Sequence, residues 1–522
     1  MSVGTPSFSM AASPKIISFE SAPKVFEALR KQGKRVVQSH GIFDLTHPGH
    51  ICHLEEAKAL GDVLAVTLTA DKYVQKGPGR PYFNEQLRMR SLAALECVDY
   101  VVLVPSPKAI EAIECIRPAI YCKGKEYEDP DFDIAGNLKD EIRTVERLGG
   151  KVRYIGSIKY SSTKLLNQYF DHLSGPVKGF CNALAARLTR REFHDAVESF
   201  ANLKILVIGD TIFDRYSYLK VQGLTSKNKI ISGRFLSEEM QSGGALAVFR
   251  HVKQFANSVK FISLVGTEDW VDPQLREHIT PEEDRIIRDE SFTTIIKQRF
   301  VEPLTEGKEM DKLFAVNFID ADPPSTAVQG KVKAKILKEI KRADAVLLLD
   351  FGHGLMQSAI RQLVQESAGF LALNCQTNSN NHGFNIISRQ YQRADAFSLD
   401  EQELMLSAGR RHLDFQAELE LLRAHLKAPY GWLTRGAVQT IGLLGKGAPC
   451  YCPPLEMEVV DTVGAGDAFF SVAALAAARK LPIELATFLG QLAGAQAVKI
   501  VGNARPISKQ TLLHSGMSLL NF

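Results

Sequence analysis

Apolar and polar positions alternate along this chain in blocks that switch between two periods. RVVQSHGIF (35–43), VLAVTLTA (63–70), DYVVLVP (99–105), AIYCKG (119–124) and KVRYIGS (151–157) are short apolar runs with the length and β-branched content of buried strands. Between them, SAPKVFEALRKQGK (21–34), HPGHICHLEEAKALGD (47–62), NEQLRMRSLAALECV (84–98), KAIEAIECIR (108–117) and LKDEIRTVERLGG (138–150) carry helical spacing, with Gly33 and Gly61 as stops. Strand–helix alternation with short loops predicts a parallel sheet covered by helices on both faces. Residues 175–203 hold few strand signals and read as a helical connector. KILVIGD (204–210) then opens a second alternation, with GGALAVFRHVKQFA as a helix and KFISLVG, ADAVLLLDFG, FLALNC and GWLTRG as strands. Residues 220–237 and 293–320 break that pattern with period-two alternation, which predicts a small β flap over the second sheet. The expected fold class is therefore α/β, with two doubly wound parallel-sheet domains. Its expected parts are a tail and helix (1–32), a first domain (33–172), a helical linker (173–203) and a second domain (204–522).

Composition adds exclusions. A chain of 522 residues is too long for one ordinary core. Its 63 Lys and Arg stand against 59 Asp and Glu, a formal net charge of +4, and no arginine-rich run is interleaved with aromatics. Nucleic acid is thus not an expected partner. No segment reaches the roughly 18 apolar residues of a membrane span, and the N-terminus has no signal-peptide core. Eight scattered cysteines, with only Cys450 and Cys452 in a C-x-C, fit free thiols in a reducing cytoplasm, the expected location.

Two motifs carry candidate chemistry. HGIFDLTHPGH (40–50) follows an apolar strand and opens a helix with Pro48 and Gly49 in its first turn. The exposed amides and dipole of that end attract an anion. His47 and His50 lie one turn apart and can both face it, donating to phosphate oxygens or carrying charge. Spacing alone also permits two packed histidines, or a metal held with His53. In DTVGAGDAFF (461–470), Gly464, Ala465 and Gly466 form a turn at the mouth of an alanine-rich helix, an anion hole with Asp467 just inside it. Asp467 can take a proton from an attacking hydroxyl, or simply cap the helix.

With these residues in view, the first half resembles the cytidylyltransferase-like nucleotidyltransferases, and nearly the whole of 33–170 resembles the adenylyltransferase half of bacterial bifunctional heptose kinase/adenylyltransferases. The shared pieces are HGIFDLTHPGH, LTAD, KGPGRP (76–81), NEQLRMRSLAALECVDYVV, RPAIYCKGKEY (117–127) and YSSTKLL (160–166). The resemblance implies a Rossmann-like domain in which His47, His50 and Lys123 are catalytic. It further implies that Gly41, Phe43, Gly49, Lys76, Arg80, Ser161, Ser162 and Thr163 bind nucleotide phosphates, and that Asp44 and Asp71 contact the substrate. The implied reaction is attack of a substrate phosphate on the α-phosphorus of ATP or CTP, with pyrophosphate leaving.

The second half resembles the PfkB/ribokinase sugar kinases. GDTIFDRY (209–216), GGALAVF (243–249), TTIIKQRFV (293–301), LLLDFGHG (347–354), FSLDEQEL (397–404), LTRG (433–436) and the glycine turn carry the likeness. It implies a ribokinase-like domain with Asp467 as base and Gly464, Ala465, Gly466, Thr434 and Gly436 near the nucleotide. It places Asp214, Gly243, Gly244, Lys297 and Arg299 at the acceptor, and Asp400 and Glu403 near Mg²⁺ as indirect partners. The departures are Ala247 where an asparagine is usual, His353 in DFGHG for a lysine, Asp400 for an asparagine, and LNCQTN (373–378) for an Asp-Pro-Lys. They point to a kinase with a different acceptor, or to a kinase-like domain kept for dimerisation or nucleotide sensing. Lys297 and Arg299 favour a phosphorylated acceptor, though two cations on a strand also fit a solvated edge. The heptose enzymes carry the kinase half first and this chain reverses the order, so the halves together imply a bifunctional enzyme of nucleotide-activated sugar synthesis for a bacterial surface polysaccharide, not the heptose pathway as such. A homodimer and small-molecule partners, a sugar or sugar phosphate and nucleoside triphosphates, follow from the same likeness.

Overall fold

In strand β2 (Val36–Gly41), Val36 and Val37 are both buried but enter different clusters, one on each face of a sheet. The computed structural model describes residues 13–74, 80–128, 137–156, 173–303, 311–320, 322–377, 381 and 383–521. The first sheet adds β1 (Ile16–Ile17), β3 (Val63–Thr69), β4 (Tyr100–Val104), β5 (Ile120–Gly124) and β6 (Lys151–Ile155), in the order β1-β4-β3-β2-β5-β6, with every pair parallel. Val37, Leu64, Val66 and Val101 pack against Leu54, Ala57, Met89 and Leu92 of helices Pro48–Lys58 and Glu85–Ala93. Val36, Ala65 and Val102 pack on the other face against Ala22, Phe26 and Ile116 of helices Ala22–Lys31 and Ile110–Ile116. Successive side chains on a strand point to opposite faces, so a continuous apolar run is what a sheet covered on both sides requires.

The order reverses direction at β2, which has β3 on one side and β5 on the other. A reversal of this kind leaves a crevice at the carboxyl ends of the strands. The loop after β2 is HGIFDLTHPGH, and the end of β5 carries Lys123.

The second main sheet comprises β10 (Ser258–Ile262), β7 (Lys204–Gly209), β15 (Ala345–Asp350), β16 (Leu371–Cys375), β17 (Ala396–Asp400), β18 (Tyr430–Thr434), β19 (Thr440–Leu444) and β20 (Cys450–Cys452), in that spatial order. It is parallel up to β18; β19 and β20 add an antiparallel edge. A separate four-stranded sheet, β14-β13-β8-β9, is the expected flap, built from β8 (Thr211–Leu224), β9 (Ile231–Gly243), β13 (Ile295–Glu302) and β14 (Asp311–Phe318). GDTIFDRY leaves the main sheet after its first residue. β7 stops at Gly209 and Asp214 lies on flap strand β8, because Asp210 breaks the run and accepts the amides of Phe351, His353 and Leu355.

Two compact units result, residues 1–174 with 517–522 and residues 175–516. The 13–32 segment is built into the first unit, with Ala22 and Phe26 fully buried and β1 paired to β4. The segment expected as a linker forms helices Gly175–Ala185 and Arg190–Glu198, whose Phe180 and Phe193 rings lie against Phe488 of the second unit. No helix among the described residues is long and apolar enough to cross a membrane.

Candidate active sites

In the first unit, His47 is the N-cap of helix Pro48–Lys58, with extended φ, and its Nδ1 accepts the His50 amide at 3.4 Å. That bond needs a lone pair on Nδ1, and burial lowers the His47 pKa. The two rings stack, 4.0 Å apart at 17°. His50 Nδ1 lies 3.1 Å from the Leu45 carbonyl, which can only accept, so Nδ1 carries the proton and Nε2 is turned away from that backbone. Phe43, in the left-handed region at φ 50°, sets its ring edge-on to His50 at 5.2 Å. Gly49 is buried in the first helical turn, and Gly41 ends β2 close to the Phe43 ring. The sequence motif thus assembles as expected, as two imidazoles at one helix mouth. His53 instead bonds Ser39 Oγ at 3.0 Å, which engages it away from a shared metal shell.

Lys123 pairs with Glu141 at 2.6 Å, and its ammonium lies over the Tyr121 and Tyr127 rings. Burial opposes its charge, yet Tyr121 and Glu141 more than offset this and hold the ammonium above its usual range. Asp44 and Arg80, expected to serve substrate and phosphate separately, are instead joined to each other at 2.6 Å, with both side chains almost fully buried. Asp44 also accepts the Tyr82 and Phe83 amides, so it fastens the 80–83 loop beneath the site. Asp71 is likewise held, by Arg88 at 2.6 Å and by a reciprocal pair of backbone bonds with Glu85. Lys76, Ser161, Ser162 and Thr163 lie outside the described residues.

In the second unit, Gly464 takes φ +82° as N-cap of helix Ala465–Ala478, and a Cβ there would meet Asn503 Oδ1 at 2.4 Å. Only glycine makes this turn without strain. Ala465 and Gly466 start the helix, and Asp467 sits in its first turn, where its Oδ1 accepts Gln376 Nε2 at 2.7 Å. Burial raises the Asp467 pKa to about 6, with Asp214 adding to the rise and Gln376 and Lys297 opposing it. Asp214 pairs with Arg299, and a Cβ on Gly243 would strike its Oδ2 at 2.2 Å. Gly244, at φ +57°, lets the backbone close on the Asp210 carbonyl. Lys297 is the β13 partner of Asp214 in the flap, and burial lowers its pKa. The solvated-edge reading of Lys297 and Arg299 is overturned, because β13 is an inner flap strand and both cations are sunk beside Asp214. Ala247 is buried among the apolar residues of helix Gly244–Val252. Burial and Lys297 push His353 down to about 3.

Asp400 and Glu403 form a reciprocal capping box at the start of helix Glu401–Ala408. Glu403 is raised to about 8 by burial first and Asp400 second, and it also feels Asp467. Both Glu403 oxygens accept amides, from Asp400 and Thr377, so this acidic corner fits a magnesium ion held through intervening oxygens better than one bound directly. Thr434 ends β18 with its hydroxyl on the Leu399 carbonyl, and Gly436 turns the chain at φ +49°.

Sequence reasoning missed Arg88, Glu141, Gln376 and Asn503. Arg88 was a cation on the apolar face of its helix, which was a usable signal; Glu141, on an amphipathic helix, resembled a solvated charge. Gln376 stood in the LNCQTN departure but was given no role, and Asn503 carried no signal at all.

Each α/β unit sets a glycine-bearing helix start beside its parallel sheet. Comparison makes the class particular. Residues 39–168 match the family described as cytidylyltransferase-like, and residues 394–510 match the pfkB family of carbohydrate kinases. The chain is 39% identical over 160 residues to the bifunctional protein HldE of Syntrophotalea carbinolica, covering 30% of this chain and 31% of that protein. It is 40% identical over 138 residues to HldE of Aliarcobacter butzleri, covering 26% of this chain and 29% of that protein. The matches thus span under a third of these relatives' length. Phosphofructokinase-2 from Escherichia coli, solved with substrates and products, superposes with a TM-score of 0.49 at 14% identity, over 61% of this chain and 99% of that one.

Proposed function

We propose that this chain is a bifunctional enzyme of nucleotide-activated sugar synthesis. The second unit phosphorylates a sugar or sugar phosphate with ATP, and the first transfers a nucleotidyl group from ATP or CTP to a sugar phosphate, releasing pyrophosphate. The observation that carries this reading is Asp467, a carboxylate raised toward neutral pH at a glycine-turned helix mouth beside the Asp214–Arg299 pair. A base poised there takes the acceptor proton while the turn's amides hold the phosphoryl group. In the first unit, His47, His50, Gly49 and Lys123 position the triphosphate, with Lys76, Ser161, Ser162 and Thr163 as further phosphate contacts, while Arg80 is taken up by Asp44. No covalent nucleophile is needed, because direct phosphoryl or nucleotidyl transfer depends mainly on positioning and positive charge. Asp400 and Glu403 would hold Mg²⁺ at the kinase site, where the ion screens the phosphate oxygens.

The partners in this reading are small molecules, with neither nucleic acid nor membrane required. Eight unpaired cysteines fit a cytoplasmic setting. The flap exposes Leu224, Ile230, Phe235, Leu236 and Phe314, an apolar face suited to a homodimer. Sedimentation of Phe235→Glu should then yield a monomer from a dimeric wild type; a monomeric wild type overturns that assignment. Mass spectrometry of products from a panel of sugars and sugar phosphates with ATP or CTP tests both reactions. Pyrophosphate release without any phosphorylated sugar would leave a nucleotidyltransferase whose second unit serves dimerisation or nucleotide sensing.

A further inference from the structure

Resting on the kinase reading, we infer that Gln376 is the positioning residue of the phosphoryl-transfer site, fixing the Asp467 carboxylate so that its second oxygen meets the acceptor hydroxyl. Gln376 lies just past the carboxyl end of β16, in the stretch that departs from the sugar-kinase pattern. Its amide nitrogen donates twice, to Asp467 Oδ1 at 2.7 Å and to Asn374 Oδ1 at 2.8 Å. Asn374 is buried and in turn donates to the Ser398 carbonyl on β17 at 3.1 Å. The chain of bonds therefore runs from the inside of the parallel sheet to the helix mouth. A side-chain amide anchored in this way has lost its rotational freedom before the substrate arrives, so it transmits the rigidity of two strands to one carboxylate oxygen.

The consequence is geometric. With Oδ1 occupied, Oδ2 is the oxygen left to receive a proton. In the step this implies, the acceptor oxygen forms a bond to the γ-phosphorus of ATP and its proton passes to Asp467 Oδ2. The bond from the γ-phosphorus to the bridging oxygen breaks with its electron pair on ADP. A neutral amide also leaves Asp467 more basic than a cation in the same place would. The charged groups that act on Asp467 are Asp214 and Lys297 from the flap, and Glu403 lies close enough to feel it. No lysine or arginine is hydrogen-bonded to it among the described residues, so the amide is its one resolved donor.

The test uses the full chain, with Gln376→Leu, Gln376→Lys and Asp467→Asn. ATP turnover is followed from pH 5 to 9 on a panel of pentose, hexose and heptose phosphates. Pyrophosphate release by the first unit and the melting temperature report on folding. Gln376→Leu should lose about 10- to 100-fold in kcat, the cost of a misaimed catalytic group, with KM for ATP within about twofold. Gln376→Lys should keep measurable turnover and shift the acid limb of the profile to lower pH, because an ammonium beside Asp467 favours its charged form. The inference is overturned if Gln376→Leu keeps the wild-type kcat and profile while Asp467→Asn is inactive. It is also overturned if Gln376→Leu lowers kcat only in step with a fall in melting temperature and Gln376→Lys leaves the acid limb unmoved. A wild type that turns over no acceptor sinks the kinase reading itself, and this inference with it.

Discussion

At the scale of single residues, the two sites use the same helix-end physics with different side chains. The first unit sets two stacked imidazoles at its helix mouth; the second sets a half-buried carboxylate there. Asp467 has its pKa raised to about 6, with burial the main cause. As a base it must be ionised, so ATP turnover should climb as pH rises through about 6 and level off above it. The stability effect has the opposite sense. The folded pKa lies above the unfolded one, so this group's contribution is fully present below about pH 4 and is lost as pH rises through about 6. Asp467→Asn should therefore be inactive as a kinase, yet gain melting temperature relative to wild type at pH 8 and not at pH 4. Calorimetric scans at the two pH values, read beside the turnover profile, check both halves. The Asp44–Arg80 pair gives a second residue-scale prediction. Arg80→Met strands a buried carboxylate with two backbone amides, which should cost about 3 kcal/mol in urea denaturation. Asp44→Asn in the same chain should recover part of that loss; an unchanged midpoint for Arg80→Met would show that the pair is not buried in solution.

Elements decide where these residues can act. The first sheet reverses at β2, so the loop after β2 and the end of β5 lie on adjacent strands, which is why the proposed reading can assign His50 and Lys123, more than 70 residues apart, to one site. Helix Ala465–Ala478 depends on a single left-handed glycine. Gly464→Ala imposes a positive φ on a residue with a Cβ, at about 1–2 kcal/mol, and drives that Cβ into Asn503. We expect ATP turnover to fall by at least about tenfold while pyrophosphate release is unaffected, measured in one preparation. The flap reaches the same turn from the other side. Lys312 on β14 pairs at 2.9 Å with Asp461, whose other oxygen accepts the Gly502 amide. Strand β14 thus helps to hold the segment that enters the glycine turn.

For the whole molecule, two sites in two compact units imply two separable chemistries. His50→Ala should lower pyrophosphate release by about 100-fold or more and leave ATP turnover intact, and Asp467→Asn should do the reverse. The double variant should show both losses and no further one, because sites that share no partner act additively. Assays of the four proteins side by side would expose any coupling. Most of the succession of strands and helices could be read from the chain, because strands buried on both faces must be apolar throughout and helices covering them must be apolar on one side. The two turns proposed to hold phosphate were equally legible, since a left-handed glycine and a proline in a first helical turn are local requirements. What the chain alone determined, then, was the set of elements and the two helix mouths. The tertiary structure decided which charges face each other: Asp44 against Arg80, Lys123 against Glu141, Asp467 against Gln376, and Asp214 on the flap instead of the main sheet. Periodicity is set by neighbours within a few residues, whereas a buried carboxylate finds its partner only when segments distant in sequence have packed and excluded the water that would otherwise screen it.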